Sequence, residues 1–245
     1  MKNPAAGGGR WVEVPPERFV SWIVTFAERH GGSSDVAVAR PLTPAGNGGT
    51  VTFSAADGAT AQCHPPFPSA ASLAGLLPPL DGPIPPDWAP GRDDGQRGVA
   101  EALAADAAAD RTVGVLLVRL GGYAVGVFEG ERLVASKVGS RFVKGRHKKG
   151  GSSANRFRRR REEQERALLD AAAETAARVL EPYRERIEFV ALGGDRTAAM
   201  RVAQELPWLA EKTLPRFFTV ADPRQRELER LPYDLYAAEL SEEPG

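Results

Sequence analysis

Cysteine is almost missing from this chain: Cys63 is the only one in 245 residues. That excludes an intramolecular disulfide framework and suits a reducing compartment. Histidine is scarce too, with three in all, and neither His30 nor His147 stands at ligand spacing from Cys63-His64. A metal site needs a closed ligand set, so Cys63-His64 reads as core, and neither metal nor cofactor is expected. No apolar run reaches the ~18 residues a membrane helix requires, and the opening Met1-Lys2-Asn3-Pro4 lacks the apolar centre of a secretory signal. The expectation is a cytoplasmic protein with no membrane contact. Aromatics make up only 7% and hydrophobic residues 42%, against 26 Gly and 20 Pro. Part of the chain is therefore expected to be linker around one large or two small cores.

Net charge is also missing, since 32 Lys/Arg balance 32 Asp/Glu, but that balance conceals a separation. Residues 141–166 hold eleven Lys/Arg (Arg141, Lys144, Arg146, Lys148, Lys149, Arg156, Arg158, Arg159, Arg160, Arg161 and Arg166) against three acids (Glu162, Glu163 and Glu165). The net there is +8, and the rest of the chain carries −8. Such a stretch is the electrostatic footprint of a polyanion partner. Its bland counterpart is a solvated face or a nonspecific arginine run. At its centre lies Lys148-Lys149-Gly150-Gly151-Ser152-Ser153-Ala154-Asn155, where paired glycines let another molecule approach the main chain.

Residues 1–10 read as a disordered leader, 11–64 as a small N-terminal α+β module, 65–110 as a Pro/Gly/Ala-rich connector and 111–240 as the principal domain. In the module, Phe19, Trp22, Ile23 and Phe26 fall on one helical stripe and are predicted to be core or an interdomain contact. Strands are expected at 35–40, 50–54 and 59–64, with Asp57-Gly58 turning the last pair. The alanine-rich 98–110 favours helix.

The second half alternates more clearly. Val113–Leu120, Tyr123–Phe128 and Leu133–Val138 are joined by tight turns into an antiparallel meander. The basic Gly-Gly loop follows, then a long helix from about residue 155 to Glu181. Leu169, Ala173, Ala176 and Leu180 line one face of it, Glu162–Arg166 and Glu174–Arg178 stand at i,i+4, and Pro182 ends it. Then come a strand at 187–192, a helix at 197–205, a strand at 215–220 and a helix at 224–231, with Asp222 as cap and Pro223 at its first position. Gly193-Gly194-Asp195-Arg196 is predicted to be a tight strand-to-helix connection rather than a phosphate turn. The order βββ-loop-αβαβα is a ribonuclease-H-like mixed five-stranded sheet, in a fold of α+β or α/β class. A nuclease of that topology needs carboxylates on its first strand to hold divalent cations. Val113-Gly-Val-Leu-Leu-Val118 has none, so that activity is set aside.

The same topology forms the central domain of the eukaryotic and archaeal class-one release factors, which carry a Gly-Gly loop between the third strand and the long helix. The run Lys148–Phe157 followed by Arg158–Arg161 and Glu162-Glu163-Gln164 resembles the VLRF clade of that superfamily. More closely it resembles the actinobacterial VLRF-type peptidyl-tRNA hydrolases, over roughly residues 111–240. The resemblance implies hydrolysis of the ester joining a nascent peptide to tRNA, in ribosome rescue or quality control. It also implies the large ribosomal subunit, its rRNA and peptidyl-tRNA as partners, and a monomer off the ribosome. It places catalysis at Gly150, Gly151, Ser152, Ser153, Asn155 and Gln164. RNA binding falls to Arg146, Lys148, Lys149, Arg156, Arg158, Arg159, Arg160 and Arg161.

Relatives carry a glutamine in or just after the Gly-Gly turn; here Ser152, Ser153 and Asn155 take those places, and Gln164 lies about two turns into the helix. Three alternatives stay open: Ser152–Asn155 and their backbone take the glutamine's role, Gln164 does, or the protein binds ribosomes without cleaving. A general nucleic-acid-binding protein is a further possibility. The chemistry asks the loop chiefly to deliver and orient one water. Backbone N–H groups face the developing oxyanion, flanking cations anchor the loop on phosphates, and the loop is expected to order only on the ribosome. His147 reads as a cation or donor rather than as a base.

Overall fold

The computed structural model describes residues 11–39, 50–67, 95–141 and 153–245. In chain order its elements are β1 (Val12–Val14), α1 (Pro16–Arg29), β2 (Ser33–Ala39), β3 (Thr50–Ala55), β4 (Thr60–His64) and α2 (Gly95–Ala108). Then come β5 (Thr112–Arg119), β6 (Gly122–Glu129), β7 (Arg132–Ser140), α3 (Ser153–Leu180) and β8 (Phe189–Gly194). The chain ends with α4 (Arg196–Gln204), α5 (Leu209–Lys212), β9 (Thr213–Phe218), α6 (Gln225–Leu235) and β10 (Ala238–Glu243). They form two compact units, one of residues 1–109 with 232–245 and one of residues 110–231.

The first unit is a five-stranded sheet ordered β1-β10-β4-β3-β2, its neighbours all antiparallel. Strand alternation turns Val51, Phe53, Ala55, Ala61 and Cys63 inward, onto Phe19, Ile23 and Phe26 of α1, as the helical stripe predicts. Burial pushes the Cys63 thiol pKa up, so the thiol stays protonated and acts as a small apolar side chain. Two features differ from the sequence expectation. Helix α2 is part of this core through Val99, Ala100 and Leu103, and the buried Gln96 amide donates to the carbonyls of Asp35 and Ser54. The last strand, β10, also belongs here: Leu240 pairs with Cys63 and Val12, and the second compact unit closes at Leu231.

A charged cluster ties the returning strand to α1 and to the β3–β4 turn. His30 Nδ1 lies 2.8 Å from Asp57 Oδ2, and its Nε2 lies 2.9 Å from Glu242 Oε1. Arg29 donates to both Glu242 oxygens at 3.0 and 2.7 Å. The Glu242 hydrogen bond, then that of Asp57, raises the His30 pKa above its ordinary 6.5. Arg29 first, then His30, holds Glu242 below its ordinary value. The Ala59 N–H first, then His30, does the same for Asp57. A raised imidazole contributes fully below pH ~6.5 and loses its contribution as pH rises through the folded value, whereas the lowered carboxylates lose theirs in acid. The stabilisation of wild type over His30→Asn is therefore expected to be largest near pH 5–6 and to shrink toward pH 9. Paired melting curves at pH 5.5, 7 and 9 measure it, and a difference that grows with pH would contradict this reading.

The second unit has the sheet order β7-β6-β5-β8-β9. β5, β6 and β7 form an antiparallel meander, while β8 runs parallel to β5 and β9 parallel to β8. This is the ribonuclease-H-like mixed sheet, with β5 central and buried from Val113 to Val118. One face is covered by Leu168, Leu169, Ala172, Ala176 and Leu180 of α3 and by Ala198, Ala199 and Val202 of α4. Leu228 of α6 packs on the other face over Gly126, where a Cβ would come within 2.9 Å of it. Helix α6 starts at Gln225, later than expected, and runs through Pro232 to Leu235. Asp222 holds the Arg224 guanidinium.

Candidate functional site: a cationic loop and helix arm

Strand β7 ends beside the tip of the β5–β6 hairpin, where the Arg141 N–H donates to the Gly121 carbonyl at 3.1 Å. Residues 142–152 lead from there to Ser153, the first residue of α3. Both ends of the basic loop are thus set by the sheet and its crossover helix. The end of β7 is closely packed: the Tyr123 ring lies against Gly139, where any Cβ would meet it. The buried Thr175 hydroxyl donates to the Tyr123 hydroxyl at 3.2 Å. Tyr123 therefore braces α3 against β6 and β7, a role no local sequence signal reveals.

Helix α3 changes character along its length. Its buried stripe begins at Leu168, and among the described side chains from Arg156 to Ala167 none is buried. At 1.5 Å per residue, residues 156–167 span about 18 Å of helix on which no described side chain is buried. Arg156, Arg158, Arg159 and Arg160 are exposed and Arg161 is half-buried. Glu162 pairs back to Arg158 at 3.7 Å rather than forward to Arg166, and such an exposed pair neutralises little. The expected Glu174–Arg178 pair is present, also at 3.7 Å. The result is a cationic arm on the C-terminal side of the loop.

Of the site residues expected from sequence, Arg146, Lys148, Lys149, Gly150, Gly151 and Ser152 lie outside the described residues. Ser153 and Asn155 are in the first turn of α3. Gln164 is half-buried and eleven residues beyond Ser153, about 16 Å along the helix axis. Ser153 and Asn155 thus adjoin the loop, and Gln164 does not share their turn. Among the described residues no group of three or more His, Cys, Asp or Glu side chains could hold a metal ion.

Gly193-Gly194 is a steric junction, as predicted. A Cβ on Gly193 would lie 2.7 Å from Leu117 and from the Phe218 carbonyl. Gly194 has φ +95° and lies against the Val118 carbonyl, and Asp195 caps α4 by accepting from the Ala198 N–H at 2.9 Å. No phosphate role is needed to explain these residues.

A mixed sheet with this strand order, and a basic loop between its third strand and its long crossover helix, is the release-factor type of ribonuclease-H-like domain. The family model that matches the chain agrees: residues 111–241, more than half of the chain, match the Actinobacteria/chloroflexi VLRF1 release factor, and the chain belongs to that family. Solved structures similar to it include an archaeal translation termination factor, aRF1, at 14% identity over 92% of this chain and 66% of that one, with a TM-score of 0.40. Another is the Vms1 mitochondrial localization core, at 10% identity over 77% and 74% of the two chains, with a TM-score of 0.35. The chain thus spans about two thirds of the archaeal factor's length. No curated protein sequence matches it.

Proposed function

We propose that this protein is a peptidyl-tRNA hydrolase that acts in the cytoplasm on the large ribosomal subunit, in rescue or quality control. The observation that carries the reading is the pairing of the Gly150-Gly151 segment with a helix arm whose described arginines are exposed or half-buried. A loop so flanked suits a crowded, phosphate-lined pocket, because cations on both sides hold it on RNA while glycines let the backbone pass the acceptor end. Water attacks the carbonyl carbon of the peptidyl ester. The C–O bond to the terminal ribose breaks, the ribose oxygen takes a proton, and the peptide leaves as its carboxylic acid. Backbone N–H groups at Gly150-Gly151 stabilise the developing oxyanion. Ser152, Ser153 and Asn155, adjoining the turn, orient the water, and Gln164, about 16 Å along the helix, supports the arm.

The test is peptide release from purified large subunits carrying peptidyl-tRNA. The protein is expected to release peptide on the order of 100-fold faster than a Gly150→Ala/Gly151→Ala variant, whose added methyl groups keep the backbone N–H donors but displace them from the acceptor end. Ser152→Ala/Asn155→Ala is expected to be impaired and Gln164→Ala to retain release. Equal rates for the protein and the double-glycine variant would defeat the enzymatic claim. One feature favours a second reading, a noncatalytic ribosome-binding factor: no glutamine occurs between Arg141 and Glu163. Salt-sensitive binding to large subunits without release would select it.

A further inference from the structure

The arm is not the whole cationic surface of the second unit. The end of the sheet from which the loop departs carries an arginine at one strand terminus after another. Arg119 closes β5, pairing with Gly122. Gly122 pairs in turn with Ser140, which Arg141 follows. Val118 pairs with Gly194 at the end of β8, so Arg196, the first residue of α4, stands beside Arg119 across the Asp195 N–H to Val118 carbonyl bond of 2.7 Å. With strands about 4.8 Å apart, Arg141, Arg119 and Arg196 are spread over roughly 15 Å of one rim.

All three side chains are exposed, and among the described residues none is ion-paired. Two are held in place without losing charge: Arg119 Nη1 donates to the Val220 carbonyl at 3.3 Å, and the Arg196 guanidinium lies 4.5 Å from the centre of the Phe217 ring. Among the described residues, two carboxylates near this rim are engaged, Asp195 with the α4 N-terminus and Asp222 with Arg224. Between Arg119 and Gly121, at the hairpin tip, stands Leu120, 43% exposed.

We propose that Arg119, Arg141 and Arg196 with Leu120 form a second RNA-contact surface, separate from the arm, that seats the sheet end on ribosomal RNA. The inference rests on the reading of this protein as a ribosome-bound factor and adds where the body of the second unit docks. Guanidiniums pre-oriented by a carbonyl and by an aromatic face lose little freedom on meeting phosphate, and a guanidinium fork suits phosphate oxygens. An exposed leucine between them can pack on a base or ribose face. RNA rather than an acidic protein is favoured because the same end of the sheet feeds directly into the +8 stretch. A single polyanion spanning both gains contacts from each.

The test is binding of the full chain to purified large ribosomal subunits over 50–200 mM salt, comparing the parent protein, a rim variant (R119Q/R141Q/R196Q) and an arm variant (R158Q/R159Q/R160Q). The rim variant is expected to bind at least about tenfold more weakly at low salt, with a salt slope smaller by about 2 to 3 and a melting temperature lowered only slightly, by loss of the Val220 and Phe217 contacts. L120S, which removes no charge, is expected to weaken binding with the slope unaltered. Parent-like binding by the rim variant, with weakened binding by the arm variant, would overturn the second surface and leave the proposed function standing. Equal losses by the rim variant toward subunits and toward polyglutamate would reduce it to a general anion surface and also overturn it. Failure of the parent to bind either subunits or a ribosomal RNA fragment would overturn both.

Discussion

Replacing Arg158, Arg159 and Arg160 with glutamine is expected to weaken binding to large ribosomal subunits by roughly 100-fold at low salt and to lower the salt slope by about 2 to 3. The size follows from counterion release, in which each phosphate neutralised by a cation returns about one ion to solution. All three side chains are exposed, so fold stability is expected to change by no more than about 0.5 kcal/mol per site. Glutamine has nearly the helix propensity of arginine, which keeps α3 intact. The one ion pair broken, Arg158 to Glu162, is exposed and worth ~0–1 kcal/mol. Circular dichroism and melting curves separate folding from binding. If the variant binds as tightly as the parent over 50–200 mM salt, the arm has no RNA role and the proposed function loses its main support.

The Gly194→Ala variant is expected to lose about 2–5 kcal/mol of stability in the second unit. Two costs add. The left-handed backbone at φ +95° penalises any Cβ by ~1–2 kcal/mol. The new methyl group would also run into the Val118 carbonyl, and crowding of this kind costs ~1–3 kcal/mol or more. The same β8–α4 junction carries the Asp195 cap, so relief by backbone movement loosens α4 as well. The expected fall in melting temperature is about 10 °C or more. Gly121→Ala supplies the comparison, because Gly121 has φ +108° but nothing within 4 Å of the position a Cβ would take. It is expected to show the backbone cost alone. Equal small losses at both sites, measured by urea unfolding, would mean that the junction yields more easily than its packing implies.

What could be read in advance was whatever has a local cause. The period-3.6 stripe of Phe19, Ile23 and Phe26 fixes the buried face of α1, since large apolar groups on one side of a helix must be covered. The tight turns at Leu120-Gly121 and Gly130-Glu131 fold β5, β6 and β7 into a meander whichever sheet they join. The eleven cations around Gly150-Gly151 mark the candidate site without any structure, because like charges at that density attract a polyanion. Pro182 stops α3 just past Leu180, and Asp195 caps α4, as their backbone chemistry requires.

Other features depend on contacts between residues far apart in sequence. β10 reads Ala-Glu-Leu-Ser-Glu-Glu, too acidic to announce itself as a strand; its pairing with β4 and β1 and the Arg29–Glu242–His30 cluster make it one. Gln96 looks like any polar residue in a Pro/Gly-rich stretch until the carbonyls of Asp35 and Ser54 come to its amide. Arg119 and Arg196 are 77 positions apart and become neighbours only because β8 enters the sheet parallel to β5.

From sequence alone came the presence of a polycationic Gly-Gly segment and the βββ-loop-αβαβα order around it, since charge density and hydrophobic period are properties of consecutive residues. Tertiary structure alone decided that no described side chain of the arm is buried before Leu168, that β10 completes the first sheet, and that three scattered arginines share one rim. Those outcomes depend on strand register and helix packing, and both are settled by burial across the whole chain rather than by any one stretch of it.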